Sequence, residues 1–194
     1  MTEIKYRGYL TQRQLEQITS HLNKNGKLIG SGYEQVVYFD TSIFPKIGDF
    51  ATGFSRVSLK VDKNKAIFRI KDGDPSDARR NEITVAVRKK DCQNLVFILN
   101  HLGLKNGYYR PVYRQDFIFK KMIISIKTKC VMGNHFEIEL PDGVSIKDPR
   151  IVTLLKKFSL VLWSKNQYQR RIHDKMKKFP AVNVCESNIL GRPL

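Results

Sequence analysis

Acidic residues are scarce in this chain: 18 Asp and Glu stand against 35 Lys and Arg, a formal net charge of +17. A solvated basic surface would account for that charge alone. As a partner signal it points to polyanions: nucleotides, polyphosphate, RNA or an anionic surface. Cysteine is rare too. Cys92, Cys130 and Cys185 lie far apart with no Cys-x-x-Cys spacing, which excludes a disulfide framework and a thiolate zinc site. No apolar run approaches the ~18 residues of a membrane span. The first residues alternate at once, without the apolar core of a signal peptide. The cytosol is the expected compartment. Internal repeats and low-complexity tracts are also missing.

What is present suits one compact domain. The 194 residues, 41% of them hydrophobic, suffice for a sizeable core. The expected division is a single domain over residues 1–179 and a tail over 180–194. Residues 2–9 alternate as a first strand. Thr11 with Gln14 matches a capping box, Leu15, Ile18 and Leu22 give a helical apolar face, and Asn25-Gly26 ends it. Strands are expected over 34–40, 54–61, 66–71, 81–88, 109–119, 121–131 and 135–140. The connection over 41–53, with Pro45, Gly48 and Gly53, reads as a mobile lid. Asp91 is placed to cap a second helix with Leu95, Ile98, Leu99 and Leu102 inward. From Pro149 to Phe179 the spacing predicts one long helix. Its stripe of Ile151, Leu154, Leu155, Phe158, Val161 and Leu162 packs on the sheet with Trp163, and its later turns are basic. The class is α+β: an antiparallel sheet able to close into a β-barrel, flanking helices and a long C-terminal helix.

Strand parity decides which side chains share a face. Glu3, Lys5 and Arg7 agree, as do Arg56, Ser58 and Lys60, then Arg69 and Lys71, then Arg80, Glu82 and Thr84. Ser125, Lys127 and Lys129 agree as well. In Gly133-Asn134-His135-Phe136-Glu137-Ile138-Glu139 two carboxylates two residues apart share a face with His135. On a half-exposed sheet such faces look to solvent. Here the opposite faces are apolar, and if the helices pack outside them the charged faces meet across a barrel interior. Buried charges need partners or a charged ligand. Lys and Arg suit a polyphosphate, and carboxylates suit a divalent metal.

These strands resemble a known family. The order Glu3-Ile4-Lys5, Tyr38-Phe39-Asp40, Phe68-Arg69-Ile70-Lys71, Arg80-Asn81-Glu82 and Glu137-Ile138-Glu139 is similar to that of CYTH domains, over about residues 2–140. CYTH domains are the triphosphate tunnel metalloenzymes, among them class IV adenylyl cyclases, thiamine triphosphatases and inorganic tripolyphosphatases. The resemblance implies an eight-stranded antiparallel tunnel that takes a triphosphate with Mg²⁺ or Mn²⁺. Carried over by position, Lys5, Arg56, Arg69, Lys71, Arg80 and Arg114 would grip phosphate oxygens, with Lys127 as an added cation. Glu3, Glu82, Glu137 and Glu139 would serve the metal, the last two as the catalytic pair.

The chain also departs from the family pattern. The usual opening Glu-x-Glu-x-Lys starts here with Met1, and the usual Arg-x-Glu-x-Glu ends in Thr84. Lys127 stands where an Asp is usual, and His135 where an aromatic is. Three carboxylates are lost from the inward face and one cation is gained. Two functions follow as expectations. One is phosphohydrolysis or adenylyl cyclisation of a nucleoside triphosphate, thiamine triphosphate or inorganic tripolyphosphate. The other is non-catalytic binding of polyphosphate or 5′-triphosphate RNA, for which Tyr108-Tyr109-Arg110 and Tyr113-Arg114 offer stacking aromatics between cations. The expected partners are a triphosphate or polyphosphate, RNA, and a second copy of the chain in a homodimer.

Overall fold

The computed structural model describes residues 2–39, 56–62, 65–72, 79–130, 132–141, 144–164, 166–168, 170 and 181–183. The lid expected over 41–53 lies outside them. In chain order the elements are β1 (Thr2–Tyr9), α1 (Gln12–Asn25), β2 (Lys27–Phe39), β3 (Arg56–Asp62), β4 (Ala66–Asp72) and β5 (Arg79–Val87). A 3-10 turn (Lys89–Asp91) leads into α2 (Cys92–His101), followed by β6 (Asn106–Phe119), β7 (Met122–Thr128), β8 (His135–Leu140), α3 (Pro149–Lys157) and β9 (Ala181–Asn183).

Alternating polarity sets the strands, and the expected capping box starts α1. The Thr11 hydroxyl accepts the Gln14 N–H while the Gln14 side chain returns to the Thr11 N–H. Every pairing among the named strands is antiparallel, in the order β2-β3-β4-β5-β1-β8-β7-β6-β9. Because β2 also pairs with β6, from Lys27↔Ile118 to Phe39↔Gly107, the pairing passes round eight strands and returns to its start. Its shortest junction is β1 with β5, from Thr2↔Asn81 to Ile4↔Arg79. The expected barrel-like α+β architecture is therefore the observed one.

Helices cover the apolar outer faces. Ile18 and Leu22 of α1 and Ile151 and Leu154 of α3 pack with Phe117, Ile124, Ile126, Phe136 and Ile138 of β6–β8. Across the barrel, Cys92, Val96 and Leu99 of α2 cover Val37, Leu59 and Val61 of β2 and β3. Each such side chain, fully buried, contributes about 1.5–3 kcal/mol, and together they leave the polar faces turned inward. Among the described residues no helix is long and apolar enough to cross a membrane.

Two helix expectations need correction. In α2 the buried stripe is Cys92, Val96 and Leu99, whereas Ile98 and Leu102 are 58% and 62% exposed. The helix begins only at Cys92, after the 3-10 turn, which fixes a different face. Asp91 gives it no side-chain cap, accepting instead from Arg88 Nε at 2.5 Å.

The long helix expected from Pro149 to Phe179 breaks at Lys157, and helical backbone returns at residues 166–168 and 170. Asp148 caps its start and Pro149 occupies its first turn. Ser159 then turns the chain at φ 50°, and the following residues run along β1. Leu162 bridges to Gly8, and the Trp163 N–H donates to the Arg7 carbonyl at 2.8 Å. Since β8 holds one edge of β1 as far as Tyr9 and β5 holds the other only as far as Ile4, this segment takes the edge that β5 leaves. Backbone groups on that edge offer a partner that a helix would waste. Gly8 makes the approach possible, because a Cβ there would lie 2.2 Å from the Val161 carbonyl oxygen.

Candidate functional site

Inside the barrel the inward side chains enclose one polar cavity. Its wall takes Lys5 and Arg7 from β1, Glu34, Val36 and Tyr38 from β2, Ser58 and Lys60 from β3, and Arg69 and Lys71 from β4. Arg110 and Arg114 from β6, Lys127 from β7, Glu137 from β8 and Tyr168 from the C-terminal segment complete it. Strand register sets charge against charge: Lys5 stands opposite Glu139, Arg7 opposite Glu137, and Lys71 opposite Glu82.

The described inward glutamates all meet cations. Glu137 is held from both sides, by Arg7 Nε on one oxygen at 2.9 Å and Lys127 Nζ on the other at 2.7 Å. Glu34 meets Lys60 at 2.5 Å and Arg114 at 3.7 Å. Glu139 meets Lys5 at 3.1 Å. Glu82 lies against both Arg69 and Lys71, and its 2.8 Å contact with Arg69 Nε is an ion pair outside hydrogen-bonding alignment. Asp116 accepts from Arg114 Nε at 2.6 Å and from the Ser125 hydroxyl at 2.5 Å, which fixes the Arg114 fork.

Burial and these charges set the protonation states. Burial works to raise the Glu34 carboxyl, but Lys60, Lys127 and Arg114 hold it down to about 2. Burial likewise opposes ionised Glu137, and Lys127 and Arg7 still keep it well below the usual carboxylate range. Lys127 sits among Arg114 and Arg110 as well as Glu137, and burial pushes its ammonium down to about 7. His135 donates from Nδ1 to the Gly133 carbonyl at 2.8 Å. Burial and then Lys127 push it down to about 4, so the ring is neutral near pH 7. It stacks on Trp163, which stacks on Tyr168, and the Arg7 guanidinium lies 5.0 Å from the Tyr168 ring. His135 therefore packs as an aromatic would.

Arg110 is different. It leans on the Tyr38 ring at 5.4 Å, yet its Nε is buried with no hydrogen-bond partner among the described residues. A buried donor left unpaired is expensive unless a ligand supplies the acceptor.

Of the residues expected at the site, Lys5, Arg69, Lys71, Arg114, Lys127 and Glu137 line the cavity. Glu82 and Glu139 stand behind its cations as partners. The backbones of Glu3 and Arg80 face each other in register, as do those of Arg56 and Lys71. The side chains of Glu3, Arg56 and Arg80 lie outside the described set. Missing from the expected site were Arg7, Glu34, Lys60, Arg110, Tyr38 and Tyr168. Parity already put Arg7 beside Lys5 and Lys60 beside Ser58, and Arg110 shares the parity of Arg114. For Tyr168 the sequence held no signal, since it arrives through the broken helix. The aromatic-basic stretch on β6 is divided: Arg110 and Arg114 face the cavity, Tyr109 packs on the second core, and Tyr113 meets Tyr33 edge-on at 5.1 Å.

The Mg²⁺ or Mn²⁺ implied by the resemblance needs carboxylate oxygens free to converge. Among the described residues no three His, Cys, Asp or Glu side chains do so, and the inward glutamates are each engaged by Lys or Arg. The described donor set does not fit a divalent cation.

No family model matches this sequence, and no curated protein does. Solved structures are similar in fold. A protein from Pyrococcus horikoshii OT3 is 17% identical with TM-score 0.65, over 89% of this chain and 99% of that one. A candidate adenylate cyclase from Vibrio parahaemolyticus is 12% identical with TM-score 0.60, over 89% and 98%. An adenylyl cyclase candidate from Hippeastrum, with a dominant triphosphatase activity, is 15% identical with TM-score 0.53, over 83% and 89%. At these identities the likeness is one of fold alone, and it agrees with the closed order of antiparallel strands. The chain has the fold its sequence resemblance implied, that of the CYTH or triphosphate tunnel proteins, in a divergent form.

Proposed function

We propose that the barrel binds a triphosphate or short polyphosphate, free or carried by a nucleotide. The observation that carries this is Arg110, a guanidinium whose buried Nε has no acceptor among the described residues. It sits in a cavity lined by eight cations, against which the wall and its ion pairs set five carboxylates. Such an excess suits an anion of several charges. Arg7, Arg69, Arg110 and Arg114 offer planar forks for pairs of phosphate oxygens, while Lys5, Lys60, Lys71 and Lys127 act as point charges. The 5′-triphosphate end of an RNA presents the same group. A cytosolic location suits such ligands.

A second reading, turnover of the bound anhydride, draws on the triphosphatase activity of the similar Hippeastrum protein. In hydrolysis water attacks the terminal phosphorus, the bridging P–O bond breaks, and orthophosphate and the shortened chain part as the water's proton passes to solvent; in cyclisation the ribose 3′ hydroxyl attacks the α-phosphorus, loses its proton and releases pyrophosphate. In either case the Arg forks and Lys ammoniums would stabilise charge growing on the phosphoryl oxygens. Glu137, held ionised, could accept a hydrogen bond from the attacking hydroxyl.

The test is a panel of inorganic tripolyphosphate, ATP, thiamine triphosphate and a 5′-triphosphate RNA. Thermal shift is read together with release of orthophosphate and cyclic AMP. Stabilisation by tripolyphosphate and by at least one of the others, well beyond that by orthophosphate, is expected. Equal, small shifts for all of them would overturn the proposal.

A further inference from the structure

We infer that the tunnel takes its polyphosphate without a divalent cation, with the Lys127 ammonium beside Glu137 supplying part of the charge that a metal would otherwise bring. The inference rests on the triphosphate reading above and concerns how that same site neutralises its ligand.

Three observations carry it. First, both oxygens of Glu137, the inward carboxylate of β8, are occupied. Arg7 Nε lies 2.9 Å from one and Lys127 Nζ 2.7 Å from the other. A divalent cation on Glu137 must displace one of these cations or sit beside both. Second, the other described glutamates of the inward face are divided among separate cations rather than gathered: Glu34 with Lys60, Glu82 with Lys71, Glu139 with Lys5. No three ligating side chains converge among the described residues. Third, among the described residues the cavity already holds eight cations, with Arg110 Nε lacking an acceptor. The charge a metal would bring to a polyphosphate is present in the wall.

Lys127 is suited to that role. Its ammonium has three donors, so it can hold Glu137 with one and still donate to a phosphate oxygen. In register it stands between Arg114 on β6 and His135 on β8, which places its charge among the anion-binding groups. A consequence follows for added metal. Mg²⁺ in solution pairs with tripolyphosphate and lowers its negative charge, so it competes with the wall for the same oxygens. Metal should weaken binding here, the reverse of its effect on a metal-assisted site.

The experiment is calorimetric titration of the full chain with inorganic tripolyphosphate at constant ionic strength, in excess chelator and then in millimolar Mg²⁺ or Mn²⁺. Saturable one-to-one binding in chelator, several-fold weaker with metal, is expected. Binding that appears only with metal, or tightens roughly tenfold on its addition, overturns the metal-free site and leaves the triphosphate reading standing. Absence of binding in both conditions overturns both. Lys127→Met, close in length and leaving Arg7 on Glu137, is expected to retain the native circular dichroism spectrum and lose roughly tenfold in chelator-resistant affinity. If this variant binds in chelator as tightly as the native chain, Lys127 does not have the role assigned to it. Lys127→Asp, if folded, should lose chelator-resistant binding, and the same affinity as native would count equally against the inference.

Discussion

Lys127 Nζ and Glu137 Oε2 lie 2.7 Å apart on neighbouring strands, both inside the barrel wall. The pair joins a strand that parity marked as basic to the strand carrying the glutamate pair. Burial drives the ammonium toward its neutral form, while Lys127 and Arg7 together keep the carboxylate ionised. Neither charge is comfortable alone. The carboxylate holds the two cations in place, and the cations leave a net positive wall for a ligand.

Glu137→Gln should therefore destabilise the empty protein. Removing one member of a buried pair leaves its partners uncompensated, at about 3–5 kcal/mol. Thermal denaturation without ligand should show a clear fall in Tm, and tripolyphosphate should recover more of it than in the native chain. An unchanged Tm would mean that Glu137 does not hold Arg7 and Lys127.

Glu34 gives a pH signature. Its carboxyl is held down to about 2 from an ordinary 4.5. With the folded value below the unfolded one, its contribution is fully present above about 4.5 and is lost as the pH falls toward 2. The size is on the order of 3 kcal/mol, from about 1.4 kcal/mol per unit. Urea denaturation of the native chain and Glu34→Gln at pH 7, 4 and 3 should show a difference that narrows as the pH falls. A difference independent of pH would contradict the ion pair with Lys60.

Arg110→Met separates binding from stability. Arg110 buries an Nε with no partner among the described residues, so a methionine, which keeps the apolar stem and ends near the place of Nε, should leave stability unchanged or raise it by about 1 kcal/mol. Tripolyphosphate affinity should fall about tenfold or more, since a charge-assisted hydrogen bond contributes about 1.5–3 kcal/mol. Calorimetry and urea denaturation on the same variant check both halves. A loss of stability with affinity intact would make Arg110 structural.

Gly8→Ala tests how Tyr168 reaches the cavity. The added Cβ would lie 2.2 Å from the Val161 carbonyl oxygen and 2.4 Å from the Phe136 ring. Neither neighbour is a flexible side-chain end, so a loss of about 1–3 kcal/mol is expected, as for overpacking elsewhere. The segment bridging Gly8 through Leu162 should become more open to proteolysis. Native resistance would show that the segment does not depend on that contact.

Much of the barrel was legible because its signal is local. Alternation along Lys5 to Arg7, Ser58 to Lys60 and Glu137 to Glu139 fixes which side chains share a face, and a barrel turns all of those faces one way. The capping box at Thr11 and Gln14 was legible for the same reason. The C-terminal helix was not. Residues Pro149 to Leu162 keep helical spacing, but the edge of β1 beyond Ile4 offers backbone partners that only the assembled barrel reveals. That same long-range pairing brings Tyr168 to Arg7. That the carboxylates of β8 share a face was legible; which cations they meet was not, because register with Lys5 and Arg7 decides it. Arg110 was legible only as part of the aromatic-basic stretch, because the lack of a partner for its Nε is a property of packing.

The measurement that bears most directly on the tunnel as a polyphosphate site is calorimetric titration with inorganic tripolyphosphate at fixed ionic strength, set beside orthophosphate and sulfate and repeated on Arg110→Met. The expected result is one saturable site per chain that prefers tripolyphosphate by well over tenfold and is lost or strongly weakened in the variant. Equal, weak binding of all three anions, unaffected by Arg110→Met, would contradict it.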